Sequence, residues 1–293
     1  MGLTAEIEIN THAHLGEGSL WHAQRRVLYW VDIIGHKVYA YDPRTKINRT
    51  YDVGSDVGTV VARKSGGLIV ALRFGIASLC EVSGQVTMLK EVPNAVNELR
   101  FNDGKCDPAG RFWVGTMGYA FGKGAGALWC FDAKHTLERK VSEITCSNGI
   151  VWTSDQKTMY YIDTPTGRVD AFDYHAESGE IRNRRTAVEI GKGDGHPDGM
   201  TIDANDNLWV AMWGGWKVIQ YDPKSGQKIT EIAIPGAERI TSCAFGGENL
   251  DTLYITSSGG DLKPEDQKKQ PNAGCLFVCK PGVKGVPAVD FAD

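Results

Sequence analysis

Leu28-Tyr29-Trp30-Val31 is a short apolar run of aromatic and branched residues, and the chain contains six runs of this character. Such runs are typical of buried β-strands. They begin at residues 28, 68, 112, 159, 208 and 253, so successive starts lie 40, 44, 47, 49 and 45 residues apart. Internal repeats of this period are typical of propeller blades, in which each repeat is a small antiparallel sheet.

Each apolar run has further β-rich segments around it. A second segment follows, with near-identical endings such as Tyr41-Asp42-Pro43 and Tyr221-Asp222-Pro223, and a third precedes it across a polar turn. The repeats therefore predict an all-β fold, a six-bladed β-propeller of four-stranded antiparallel blades. A more polar fourth segment follows each of the first five repeats, at residues 48–53, 86–92, 140–146, 182–190 and 227–234.

The sixth repeat has no fourth segment of its own, because only a tail rich in glycine and proline follows it. Residues 5–10 form an early β-rich run that belongs to no repeat. We expect this N-terminal strand to pair as the outer strand of blade six, which would close the ring and remove an exposed edge. The repeats predict one domain over residues 1–293. A β-sandwich with evenly spaced turns is the alternative that the six matched repeats disfavour.

Composition narrows the class of protein. A net charge of -4 leaves no broad basic surface for nucleic acid, and no run is long and apolar enough to span a bilayer. The seven cysteines are an odd number without metal-type spacing, apart from a loose pair at Cys275 and Cys279, so they are interpreted as reduced thiols. We expect a cytoplasmic protein, a monomer or weak dimer, that binds neither nucleic acid nor membrane.

Four inner strands are preceded by an acid or amide followed by glycine. In an up-and-down blade the first strand starts at one face of the disc, so these side chains should ring the central channel at that face. The same pairs are also common turn signals, but two blades carry other residues there. The four pairs are Glu17-Gly18, Asp103-Gly104, Asn148-Gly149 and Asp198-Gly199.

Oxygen-bearing side chains without a nearby His or Cys set suit calcium, magnesium or manganese better than a closed structural zinc site. Glu17, Asn148 and Asp198 are the candidate ligands of one divalent metal ion, with zinc retained as a fourth possibility. The run from Asp203 to Asn207 resembles the start of an EF-hand loop, but Leu208 stands where that loop needs glycine. It is interpreted as a polar turn.

The loops between the second and third strands of each blade return to the same face. Two of them are long, at residues 117–126 and 257–273, and long loops in compact domains are often lids. Trp213 and Trp216 are candidates for a pocket wall, and His196 is either a base or a structural residue.

Arg100-Phe101-Asn102-Asp103 places a cation and an amide on this face as well. Arg100 could donate to a hydroxyl-rich or carboxylate-bearing substrate, and Asn102 could both donate and accept.

Several of these motifs together resemble the family of regucalcin (senescence marker protein), gluconolactonase and luciferin-regenerating enzyme. The resemblance implies a six-bladed propeller with one divalent metal and lactonase activity on sugar lactones. It also implies Glu17, Asn148 and Asp198 as metal ligands. The motifs are Leu15-Gly16-Glu17-Gly18-Ser19, the run from Arg100 to Arg111, Ser147-Asn148-Gly149, the run from Val169 to Tyr174, and Pro197-Asp198-Gly199-Met200.

The resemblance further implies that Arg100 and Asn102 contact the substrate. Animal regucalcins carry an acidic residue in the long loop of blade three, where this chain has a glycine-rich stretch beginning at Phe121. This departure bears on which sugar lactone the protein prefers.

We expect metal-dependent hydrolysis of sugar lactones, with Asp198 as the catalytic residue that prepares the attacking water. One alternative is a calcium-binding regulatory protein whose propeller face docks other proteins. Another is a propeller hydrolase that resembles organophosphate-cleaving enzymes or strictosidine synthase in fold only.

Overall fold

The computed structural model describes residues 2–92 and 98–293, which form six antiparallel sheets. The innermost strand of each sheet contacts the innermost strand of the next, and the sixth contacts the first. This closed ring confirms the predicted six-bladed β-propeller.

Each of the first three blades contains four strands. Blade one contains Gly16–His22, Val27–Asp32, Lys37–Asp42 and Ile47–Asp52; blade two contains Val57–Ala62, Leu68–Leu72, Gly75–Leu79 and Val86–Glu91; blade three contains Leu99–Cys106, Phe112–Gly118, Gly126–Phe131 and Leu137–Ile144.

The remaining blades follow the same pattern, with a 3₁₀ helix at Thr164–Thr166 and an α-helix at Pro264–Lys269. Blade four contains Ser147–Trp152, Thr158–Asp163, Arg168–His175 and Glu180–Glu189; blade five contains His196–Ile202, Leu208–Trp213, Lys217–Asp222 and Gln227–Ala233; blade six contains Ile240–Gly246, Thr252–Ser257 and Leu276–Cys279.

The chain's N-terminal strands close the ring. Glu6–Ile9 pairs antiparallel with Leu276–Cys279 as the outer strand of blade six, which confirms the predicted closure. A second strand that was not expected, Leu3–Thr4, pairs in parallel with the outer strand of blade five. The first ten residues therefore join two neighbouring blades.

The acid-glycine pairs lie inside the inner strands, so the prediction that they come just before them is wrong. In blade one the strand register shifts between Glu17 and Leu20, and each of the other five inner strands has a shift at the equivalent place. A bulge of this kind turns a side chain out of the regular alternation. The expected ring of side chains at one face is present, and the bulge is what directs them there.

Close packing of neighbouring blades explains the glycine in each pair. A Cβ on Gly149 would lie 2.6 Å from the backbone N of Met200, and one on Gly199 would lie 2.8 Å from the carbonyl O of Thr241. Only glycine lets the next inner strand approach so closely.

The C-terminal tail covers the opposite end of the inner strands. Phe291 is fully buried and stacks on Phe131 with ring centroids 5.5 Å apart. Residues 286–289 line a cavity of about 210 Å³ at that end, beside the last residues of five inner strands. Composition alone had indicated only a tail rich in glycine and proline.

All seven cysteines are free thiols. Among residues 2–92 and 98–293, no helix has the length and apolar character needed to cross a bilayer.

Candidate active site

A cavity of about 360 Å³ opens at the starting end of the inner strands. Its lining includes all five residues predicted for the site, which come from four different blades. Those residues are Glu17, Arg100, Asn102, Asn148 and Asp198.

Two carboxyl groups face each other on the floor of this cavity. Glu17 is 3% exposed and Asp198 is 6% exposed, and their carboxyl groups are close enough to share a hydrogen bond. Burial, followed by the facing Asp198 carboxylate, raises the pKa of Glu17 well above its ordinary value. Burial and the nearby Asp103 carboxylate do the same to the pKa of Asp198.

Asp103 is a third buried acid beside this pair. Its acid-glycine motif predicted its position at this face, but no metal-binding or substrate-binding role was predicted for it. Its Oδ1 accepts a hydrogen bond of 2.8 Å from the Gly104 N–H, just as Glu17 Oε2 accepts one of 2.8 Å from Gly18. Burial raises the pKa of Asp103, while the charge of Lys105 acts against that rise. The shared acid-glycine motif was the signal that could have identified it.

The residues present fit a divalent cation. Within residues 2–92 and 98–293, no Lys, Arg or His forms an ion pair with Glu17, Asp103 or Asp198. Buried charges without a partner are costly, and a bound cation would remove that cost. The same part of the chain holds no group of three or more His, Cys, Asp and Glu side chains suited to a metal. The candidate donors are therefore two carboxylates and the Asn148 amide oxygen.

A hydrogen-bond network orients the Asn148 side chain. Its Nδ2 donates to Thr164 Oγ1 over 2.8 Å, and Thr164 Oγ1 donates to the Pro197 carbonyl over 2.8 Å. Asn102 Nδ2 donates to Asn148 Oδ1 over 3.2 Å and to the Ser147 carbonyl over 2.7 Å. These contacts fix which end of the Asn148 amide presents oxygen. Thr164 was missed from the sequence, because its role depends on contacts across two blades.

Arg100 is buried beside this network and forms no ion pair with any residue in the ranges 2–92 and 98–293. Its Nη1 donates to Asn102 Oδ1 over 2.6 Å and to the Phe101 carbonyl over 3.0 Å. Across the described part of the chain, its Nε and Nη2 have no hydrogen-bond partner. Burial lowers the pKa of this guanidinium. A buried cation with unused donors is suited to a polar ligand.

The loops contribute unequally to the cavity. Phe121, from the long loop of blade three, and Trp213 line it, whereas Trp216 does not. The long loop of blade six supplies no lining residue to this cavity. It packs instead on the segment between blades five and six, where Gln270 Nε2 donates to Glu238 Oε2 over 2.8 Å. His196 lines the cavity from an exposed position.

Cys146 also lines this cavity. Burial raises the pKa of its thiol to about 12, so the thiol stays protonated and adds an apolar surface.

Fold and site together define a six-bladed propeller with a buried pair of acids, Glu17 and Asp198, at the mouth of its central channel. The chain belongs to the SMP-30/Gluconolactonase/LRE-like family, whose model matches residues 15–259. This match confirms the family resemblance identified from the motifs.

Relatives match along nearly the whole chain. Regucalcin of Danio rerio is 39% identical over 292 residues, covering 99% of this chain and 98% of the relative. A protein of Bacillus subtilis (strain 168), whose name proposes a sugar lactone lactonase, is 36% identical over 290 residues and covers 99% of each chain. A solved luciferin-regenerating enzyme superposes with a TM-score of 0.92 at 32% identity, covering 100% of both chains.

Proposed function

We propose that this protein hydrolyses lactones, with one bound divalent metal ion and with sugar lactones (aldonolactones) as the substrate class. The family description and the name of the Bacillus subtilis relative support the reaction class. The observation that carries the proposal is the buried Glu17–Asp198 pair, which forms no ion pair within the part of the chain that the structure describes, near a buried Arg100 with donors left for a ligand.

Glu17, Asn148 and Asp198 would hold the ion. When bound, the ion supplies a Lewis acid that polarises the ester carbonyl. Asn102 and Thr164 hold the Asn148 amide in place through the hydrogen bonds described above.

Asp198 is the candidate base in the hydrolysis. It would accept a proton from the attacking water while the water oxygen bonds to the carbonyl carbon. The ring C–O bond then breaks, and the departing ring oxygen takes up that proton to become a hydroxyl. Arg100 would hold the ester with its unused Nε and Nη2 donors, and Asn102 keeps the guanidinium in place through Oδ1.

The test is an assay of acid release from five- and six-membered aldonolactones. Protein stripped of metal is compared with protein that has received calcium, magnesium, manganese or zinc. We expect turnover only after an ion is added. Hydrolysis no faster than the spontaneous rate with every ion would overturn the proposal.

A calcium-binding regulatory protein is the second candidate, because the Danio rerio relative is named regucalcin. The acid pair would serve a binding protein equally well. Arg100 separates the two functions, since a buried guanidinium near the ion repels it unless an electron-rich ligand lies between them.

A further inference from the structure

The wall of the candidate active-site cavity differs in chemistry from its floor. The acids, the amides and Arg100 form the floor, whereas the loops and strand ends above them supply mostly apolar side chains. The apolar lining residues are Leu15, Met117, Phe121, Cys146, Pro165 and Trp213.

Many of the hydrogen-bonding groups near the floor of the cavity already bond to other groups of the protein. Thr164 Oγ1 donates to the Pro197 carbonyl and accepts from Asn148 Nδ2. Both N–H groups of the Asn102 amide donate to protein oxygens, and its Oδ1 accepts from Arg100. Among the described lining residues, unused donors remain on Arg100, which would face the reacting ester, and on the exposed ring of His196 at the rim. A hydroxyl group elsewhere on the substrate would find few partners.

Phe121 has an unfavourable backbone conformation and an exposed apolar side chain in the ligand-free protein. Its φ of +52° lies in the left-handed region, where a bulky aromatic residue is an outlier, and its side chain is 62% exposed. Within residues 2–92 and 98–293 it joins no core cluster and no aromatic pair. Strain and apolar exposure at a cavity rim together indicate a role in covering a ligand.

From this wall we infer that the preferred substrate is a small sugar lactone with few hydroxyl groups, such as a deoxyaldonolactone, and that Phe121 determines this preference. The inference rests on the proposed lactonase function and narrows its substrate class. A cavity of about 360 Å³ suits a single ring with a short substituent. Each hydroxyl group left without a partner in such a wall lowers kcat/KM by roughly tenfold.

The decisive comparison uses two six-membered lactones, glucono-δ-lactone and δ-hexalactone, with the metal-loaded protein. Each kcat/KM is divided by the spontaneous hydrolysis rate of the same lactone. We expect a ratio of roughly a hundredfold in favour of δ-hexalactone, because at least two hydroxyl groups of the sugar lack partners. An equal or greater value for glucono-δ-lactone overturns this inference and leaves the lactonase proposal standing. Turnover of neither lactone overturns this inference, and the panel of five- and six-membered aldonolactones then decides the lactonase proposal separately.

Phe121→Asn tests the residue itself, since asparagine tolerates a positive φ far better than phenylalanine. The variant should keep or raise the melting temperature and reduce the preference for δ-hexalactone at least fivefold. Phe74→Asn is the matched control, because Phe74 is also an exposed phenylalanine on a loop of this face but does not line the cavity. The preference of the Phe74→Asn control for δ-hexalactone over glucono-δ-lactone should stay unchanged. An unchanged preference in Phe121→Asn, or an equal loss in the control, overturns the assignment of Phe121.

Discussion

Buried carboxylates lie at both ends of the inner strands, and the two ends differ in the hydrogen-bond donors that these carboxylates accept from. Asp203, directly after the inner strand of blade five, accepts hydrogen bonds from two backbone N–H groups, from Trp209 Nε1 over 3.0 Å and from Gln220 Nε2 over 2.8 Å. Asp107 in blade three is held by Arg111, Trp113 and other donors. At the other end, Glu17 and Asp198 face each other.

The difference separates a structural acid from a functional one. A buried carboxylate whose acceptor sites are filled contributes to the fold, and removing it leaves donors without partners. A buried pair without a cation destabilises the free protein and is compensated when a ligand binds. The degree of satisfaction, and not burial itself, distinguishes the two ends.

The largest effect on metal binding and turnover is expected from removing either acid of the Glu17–Asp198 pair. Glu17→Ala and Asp198→Ala should each abolish metal retention and lower lactone turnover by at least about a thousandfold, because one carboxylate leaves too little charge for a hard cation. The melting temperature of the metal-free protein should not fall, since the repulsion between the acids is gone. Metal analysis after dialysis measures retention. Stoichiometric metal in either variant would contradict the ligand assignment.

Arg100→Ala should separate substrate binding from metal binding. Loss of its donors should reduce turnover about a hundredfold, while metal affinity stays the same or rises because a nearby positive charge is removed. Calorimetric titration with the metal and steady-state kinetics give the two quantities. Lys123→Ala, in the loop of blade three but outside the cavity lining, is the control. Full turnover in Arg100→Ala would favour the calcium-binding alternative.

Asp203→Ala should have the reverse effect of the acid-pair variants. It leaves the buried Trp209 and Gln220 donors unpaired, so we expect the free energy of unfolding to fall by about 3 kcal/mol. Metal retention should be unchanged. Urea denaturation measures the loss, with the exposed Glu189→Ala as a control expected to change stability by less than about 0.5 kcal/mol. A stable Asp203→Ala protein would remove the distinction between the two ends.

The smallest effect at the site is expected from deleting residues 2–10. This removes the outer strand of blade six and the parallel strand on blade five, so the melting temperature should fall by roughly 5 to 10 °C. Metal affinity should hold, because these strands lie at the rim of the ring. Differential scanning calorimetry checks the change. An unchanged melting temperature would show that the closure contributes nothing to stability.

The positions of the strands were largely predictable from the sequence, for a reason visible in blade one. Its apolar run at Leu28, its polar outer strand and its turns depend on alternation and turn chemistry among residues close together in the chain. The outer strand of blade six was predictable because one repeat lacked a segment and one early segment lacked a repeat. The bulges in the inner strands were not predictable, since they depend on pairing register.

For the candidate site, the sequence by itself determined which oxygen-bearing side chains meet, because equivalent positions in each repeat reach the same face of a closed ring. Only the tertiary structure decided how fully each of them is hydrogen-bonded. The donors that satisfy Asp107 include Tyr174 from the next blade, and the contacts that orient Asn148 come from Asn102 and Thr164. The burial of Phe291 against Phe131 was likewise decided by the fold. Hydrogen bonding and burial depend on neighbours far apart in the chain, and local sequence pattern does not specify them.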